Sequence, residues 1–141
     1  SEIEKRNEAI KDYDYIISST QLNEQNLSFM ATVYNNKAYA LIKLNKIEEA
    51  KPLVEMALDL EQNLPFIWDT SGELNYHMGN FKKCIEDMNK AISLSESANS
   101  YYYRGLAKIK LNIKESGCID LSKSAELGNL DAFEDIKKQC N

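Results

Sequence analysis

One offset runs through most of this chain and limits what it can fold into. Tyr34, Trp68 and Tyr101 stand 34 and then 33 residues apart. The same spacing relates Leu44, Met78 and Leu111, and also Ala50, Cys84 and Gly117. It relates Val54, Met88 and Leu121, then Ala57, Ala91 and Ser124, then Leu60, Leu94 and Leu127. Large residues fall on large ones and small on small, with a single slip near residues 96–98. A period of this length marks stacked supersecondary units, none of which can bury its apolar face alone.

Each unit reads locally as two helices. Bulky residues recur at helical spacing over 31–44 and again over 47–60. Between them Asn45, matched by Gly79 and Asn112, is a residue type that accepts the left-handed conformation closing a helix. Pro65 stands where a first helix should begin, its fixed φ suiting the first turn. Ala38, Gly72 and Gly105 on the first helices face Ala50, Cys84 and Gly117 on the second. Such small side chains let two backbones approach closely, with Tyr34, Trp68 or Tyr101 filling the space above.

The segments WDTSGELNYHMGNFKKCIEDMNKAISL and YYYRGLAKIKLNIKESGCIDLSKSAEL carry these aromatic, small, turn and bulky positions together. As a set they resemble the tetratricopeptide repeat, a helix pair of about 34 residues. The resemblance implies an all-α, right-handed α-solenoid of helix-turn-helix repeats at 31–64, 65–97 and 98–131, closed by a capping helix at 130–141. Three departures stand out. Asn75 and Lys108 occupy a site that is usually bulky and inward, Gly117 replaces alanine, and Pro52 lies inside a second helix, where it removes the bond to the Glu48 carbonyl.

Residues 1–18 resemble a second helix alone, with Ala9, Tyr13 and Ile17 in the small, bulky and apolar roles. Ala50 follows Ala9 by 41 residues, so the linker 18–27 is longer than the period predicts. Ile3, Ile10, Ile16 and Ile17 then lack full cover within one monomer, as expected for a piece of a longer solenoid or an edge met by a partner. At the other end Leu130, Phe133, Ile136 and Cys140 share one helical face and are expected to dock inward, as a terminal cap should. The ending SAELGNLDAFEDIKKQC resembles the closing segment of many bacterial members of the family.

The chain of 141 residues carries a formal charge of −5 with no basic stripe, which argues against nucleic acid as partner. No apolar run approaches the ~20 residues of a membrane helix, so insertion is not expected, and the compartment stays open. His77 is the single histidine, so neither a nucleophile–base pair nor a zinc site has much to build from. Cys84 falls on a small packing position, the acids read as solvent-facing partners of nearby lysines, and no glycine-rich phosphate loop occurs. No cofactor, metal or catalytic residue is expected. Cys118 and Cys140 either form a disulfide that staples the cap or remain two packed thiols.

In this family the first helices line a concave groove, so the resemblance implies a non-catalytic adaptor that holds a peptide or protein segment there. Carried over position by position, the groove is Asn35, Asn36, Tyr39 and Lys43 in the first repeat. The second gives Phe66, Asp69, Thr70, Glu73, Tyr76 and His77, and the third Asn99, Tyr102, Tyr103, Leu106 and Lys110. Tyr76 and Tyr103 have packing between repeats as their alternative role. The lysine and arginine clamp by which chaperone-binding members hold a terminal carboxylate is absent, because those positions hold Asn35, Tyr39, Thr70, Asn99 and Tyr103. A ligand with apolar and aromatic anchors fits better, and Asp69 or Glu73 suits a basic residue on it. The competing reading is structural: self-association, as a weak homodimer and not a monomer, or a segment of a larger solenoid protein that docks to the rest of its chain, in either case through the N-terminal helix edge.

Overall fold

The computed structural model describes residues 1–141 as eight α-helices without a strand. They fall into two units, Ser1–Asn63 and Leu64–Asn141. The fold class is the all-α solenoid that the period requires.

In the first unit α1 spans Glu2–Ser19, α2 Leu27–Lys43 and α3 Ile47–Leu60. Ser1 and Glu4 form a capping box that starts α1. The linker spans residues 20–26, shorter than the expected 18–27, chiefly because α1 runs on to Ser19. An asparagine turn fills the gap: the Asn23 side chain accepts from the amides of Gln25 and Asn26, and Asn26 accepts from Asn23. Pro52 is accommodated without breaking α3. Ile3 stays 63% exposed, and no residue of α1 is fully buried.

The second unit holds α4 (Pro65–His77), α5 (Phe81–Leu94), α6 (Ala98–Lys110), α7 (Lys114–Glu126) and α8 (Asp131–Gln139). Its packing is sequential, α4 on α5, α5 on α6, α6 on α7 and α7 on α8, with α4 also touching α6. Met88, Cys84 and Ala107 are buried together, with Tyr76, Phe81, Ile85 and Tyr103 closing around them.

The turns behave as the residue types require. Asn45, Gly79 and Asn112 have φ of 60°, 80° and 63°. In each case the next amide reaches back five residues, as Lys46 to Leu41, Asn80 to Asn75 and Ile113 to Lys108, all at 2.8 Å. A fourth such turn follows α7, with Gly128 at φ 108° and Asn129 N–H on the Ser124 carbonyl. At the corresponding ends of α3 and α5 the chain leaves extended, at Glu61 and Ser95. The close approach is real as well. A Cβ on either Gly105 or Gly117 would lie 2.8 Å from the other's carbonyl oxygen.

Two expectations are corrected. Asp87 does not face solvent: it is 1% exposed and accepts from Ser71 Oγ (2.7 Å), Asn75 Nδ2 (2.8 Å) and Lys83 Nζ (2.8 Å). Asp120 is likewise buried, against Arg104 at 2.7 and 2.8 Å and Lys108 at 2.8 Å. The cap also turns a different face inward. Leu130 and Phe133 are exposed, whereas Ala132 is buried and Ile136 partly so. Of the expected face only Ile136 and Cys140, the latter bonded to Cys118, turn inward, and Ala132 takes the place of the larger side chains.

Candidate functional site

In the first unit, α2 carries the four predicted residues, and α1 supplies their surroundings. Asn35 is buried, with its amide directed to Asn36 Oδ1. Asn36 and Tyr39 line a shallow recess of about 230 Å³ with Lys5, Arg6, Ala9 and Tyr13 of α1. Above the Tyr39 ring lie the Arg6 guanidinium at 5.9 Å and the Lys43 ammonium at 5.1 Å. Glu2 also lines the recess and pairs with Lys5 at 3.6 Å, so the cations at Tyr39 are Arg6 and Lys43. Lys37, next to Asn36 in sequence, points instead to Asp14 of α1, at 2.5 Å. The α1 cations were not foreseen, since their placement depends on how α1 packs on α2.

In the second unit the predicted residues divide into two groups. At the N-terminal end of α6, Asp69 accepts from Ser100 Oγ (2.6 Å) and Asn99 Nδ2 (3.2 Å). Burial pushes the Asp69 carboxyl above its ordinary range, and the bonds from Ser100 and Asn99 pull against that. Phe66 borders the same corner in a recess of about 120 Å³. Thr70 is buried, its hydroxyl on the Phe66 carbonyl, so it presents nothing outward.

The other group converges. Tyr76 and His77 from α4 meet Tyr102, Tyr103, Leu106 and Lys110 from α6 around one recess of about 300 Å³. Asp135 and Gln139 of α8 close its end. Glu73 is wholly buried and accepts from Tyr103 Oη at 3.0 Å, with His77 Nε2 3.9 Å away. Tyr102 Oη donates to Asp135 at 2.6 Å. Burial first, and then Asp135, raise the Tyr102 phenol well above its usual range. Tyr76 also packs against Phe81 and Tyr103, so the packing role and the lining role coexist in one ring. Sequence reasoning missed Asp135 and Gln139. Their three-residue spacing, Asp135 from Ala132 and Gln139 from Ile136, was available, but the more apolar face of α8 drew the assignment.

Burial pushes the Cys84 thiol up to about 12, with Asp87 adding to the shift. Cys118 and Cys140 are joined and border a separate hollow of about 880 Å³ between α7 and α8, with Ile119 and Ile136. No group of three His, Cys, Asp or Glu side chains is placed to hold a metal ion. No helix is long and apolar enough to cross a membrane.

Comparison with known proteins follows this geometry. Residues 31–64 and 67–97 each match the sequence model of the tetratricopeptide repeat. No curated protein matches the chain. Among solved structures, the first TPR domain of human RPAP3 aligns with a TM-score of 0.72 at 24% identity, over 79% of this chain and 90% of that one. The first TPR of Spaghetti (RPAP3), bound to the HSP90 peptide SRMEEVD, gives 0.73 at 24% identity, over 80% and 92%. MamA gives 0.69 at 14% identity, over 84% of this chain and 66% of that chain. With its period, its positive-φ helix turns, the Gly105–Gly117 approach and these matches in agreement, the chain carries tetratricopeptide repeats at 31–64 and 67–97 within an all-α fold shared with TPR domains.

Proposed function

We propose that this chain is a non-catalytic adaptor that binds an extended or helical segment of another protein, with the α4–α6 face as its anchor site. The observation that carries the proposal is the convergence of six predicted side chains in the α4–α6 recess, three of them tyrosines. Tyrosines bury much area with few rotors to freeze and keep a polar tip, which suits adaptable recognition. The structural relative with a bound HSP90 peptide supports the same use of the fold. Its ligand is an acidic peptide, and the positions expected to clamp a terminal carboxylate hold no lysine or arginine here, so a different sequence class is sought. A non-catalytic reading is supported by the buried, high-pKa thiol of Cys84 and by a lone histidine set among rings.

Selection from a displayed random-peptide library, followed by fluorescence anisotropy on the best binder, tests this. Tyr102→Ala should weaken binding by about tenfold or more, a loss of roughly 1.4 kcal/mol, with helicity unchanged. Unchanged affinity, or no enriched peptide, overturns the assignment. The exposed α1 edge favours a second reading, self-association. Ile3 and Tyr15 are both largely exposed there. Sedimentation of the chain with Ile3→Glu and Tyr15→Glu decides it: an edge-driven dimer would dissociate, and an adaptor would be monomeric throughout.

A further inference from the structure

The α4–α6–α8 recess has a definite electrical character, which follows from where its hydroxyl protons go. Tyr103 donates its hydroxyl hydrogen bond to Glu73, and Tyr102 donates its own to Asp135. The Tyr102 oxygen, its one O–H already committed, can only accept from an occupant. The rings add a π-rich wall: Tyr76, His77, Tyr102 and Tyr103 form a contiguous cluster with centroids 5.2 to 5.8 Å apart. Asp135 lines the recess itself, and the fully buried Glu73 lies behind Tyr103. An anion entering here would meet the Asp135 carboxylate and the Tyr102 oxygen, whereas a cation would find both favourable, with the rings beside it. Lys110 is the one lysine or arginine lining the recess, and it is exposed at the rim.

We propose that this recess receives a cationic side chain, lysine or arginine, from the bound segment. The proposal rests on the peptide-binding reading and names the chemistry of one of its anchors. The aliphatic stem would lie along the rings while the charged head reaches Asp135. Lys110 then acts as a resident competitor. That role separates the proposal from its opposite, because an acidic occupant would need Lys110 as its partner.

The test uses the whole chain and small probes, so it does not depend on any selected peptide. Nα-acetyl-arginine amide and Nα-acetyl-glutamate amide are titrated against it, and the aromatic resonances of Tyr102, Tyr103 and His77 are followed by NMR. The arginine probe should shift them saturably and the glutamate probe should not. Asp135→Asn, which keeps an acceptor for Tyr102, should weaken the arginine response about fivefold, and Lys110→Gln at the exposed rim should strengthen it. Equal responses to the two probes, no response to arginine, or weakening by Lys110→Gln overturns the proposal. Should library selection still yield peptides without a basic residue, the adaptor reading stands and this anchor alone fails.

Discussion

Breaking the Cys118–Cys140 bond should loosen α8 long before it unfolds the helices beneath. Little else holds this helix. Ala132 is its one fully buried residue, while Leu130 and Phe133 face solvent. The Tyr102–Asp135 hydrogen bond contributes about 1–2 kcal/mol. A helix of nine residues is unstable alone. The disulfide spans a sequence separation of 22, and confining such a loop in the unfolded chain is worth about 3 kcal/mol at room temperature. The bond thus outweighs the other contacts that keep α8 in place.

The perturbation is Cys118→Ser with Cys140→Ser, compared with the oxidised chain. Global stability should fall by about 3 kcal/mol, or roughly 10 °C in Tm for a chain of this length. Hydrogen exchange by mass spectrometry gives the sharper readout. Amides of α8 should lose protection at once, while those of α6 and α7, anchored by Leu121, Ala107 and the Gly105–Gly117 contact, should keep theirs. Protection of α8 that survives the substitution would refute the reasoning, because packing alone would then hold it. Since α8 carries Asp135, the same variant should also lose most of its response to a cationic probe in the recess.

Two more predictions concern buried carboxylates. Asp87→Ala removes the acceptor of Ser71 Oγ and one of the two acceptors of Asn75 Nδ2 and should cost about 3 kcal/mol by urea unfolding, whereas Ser71→Ala with Asn75→Leu and Asp87→Leu should fall within about 1 kcal/mol of the parent. A triple variant as damaged as the single one would show that the polar set is irreplaceable. Asp69 has a raised carboxyl pKa, chiefly from burial, so the folded chain binds more protons than the unfolded one just above the ordinary carboxylate value. Stability relative to Asp69→Asn should therefore decline as pH rises from about 4 through the raised pKa and then level off. A flat or rising difference would contradict this.

What the sequence reveals about the fold comes from features with short reach. The period names residues of matched size, and the turns need only a residue tolerant of positive φ, so Asn45, Gly79 and Asn112 could be located without knowing any contact. Gly128 adopts the same conformation yet lies outside the pattern, because the earlier second helices end in extended residues. The site was legible on α4 and α6, which inherit their facing from the repeat. It was not legible on α1 and α8, which have no partner position in the period. The cations of α1 and the Asp135 carboxylate are placed by packing and by a disulfide, neither of which periodicity encodes.

The buried acids show how a departure from the pattern carries information once the helices are paired. Position 41 in the first repeat becomes 75 and then 108, and position 53 becomes 87 and then 120. The first repeat places Leu41 and Leu53 there. The second places Asn75 against Asp87 at 2.8 Å, and the third Lys108 against Asp120 at 2.8 Å. Read singly, Asn75 and Lys108 looked like faults at an inward site, and Asp87 like a surface charge. Read as pairs twelve residues apart, they change together from apolar to polar to ionic. Each polar group enters only with its counterpart, as burial of a lone charge or amide would require. The rule extends one position further. Lys37, Ser71 and Arg104 are equivalent, and the last two complete the sets around Asp87 and Asp120 while Lys37 turns to Asp14. An inward polar residue in such a repeat therefore predicts a buried acid twelve residues on. In its absence, as at Leu41, the neighbouring cation is released to a different helix.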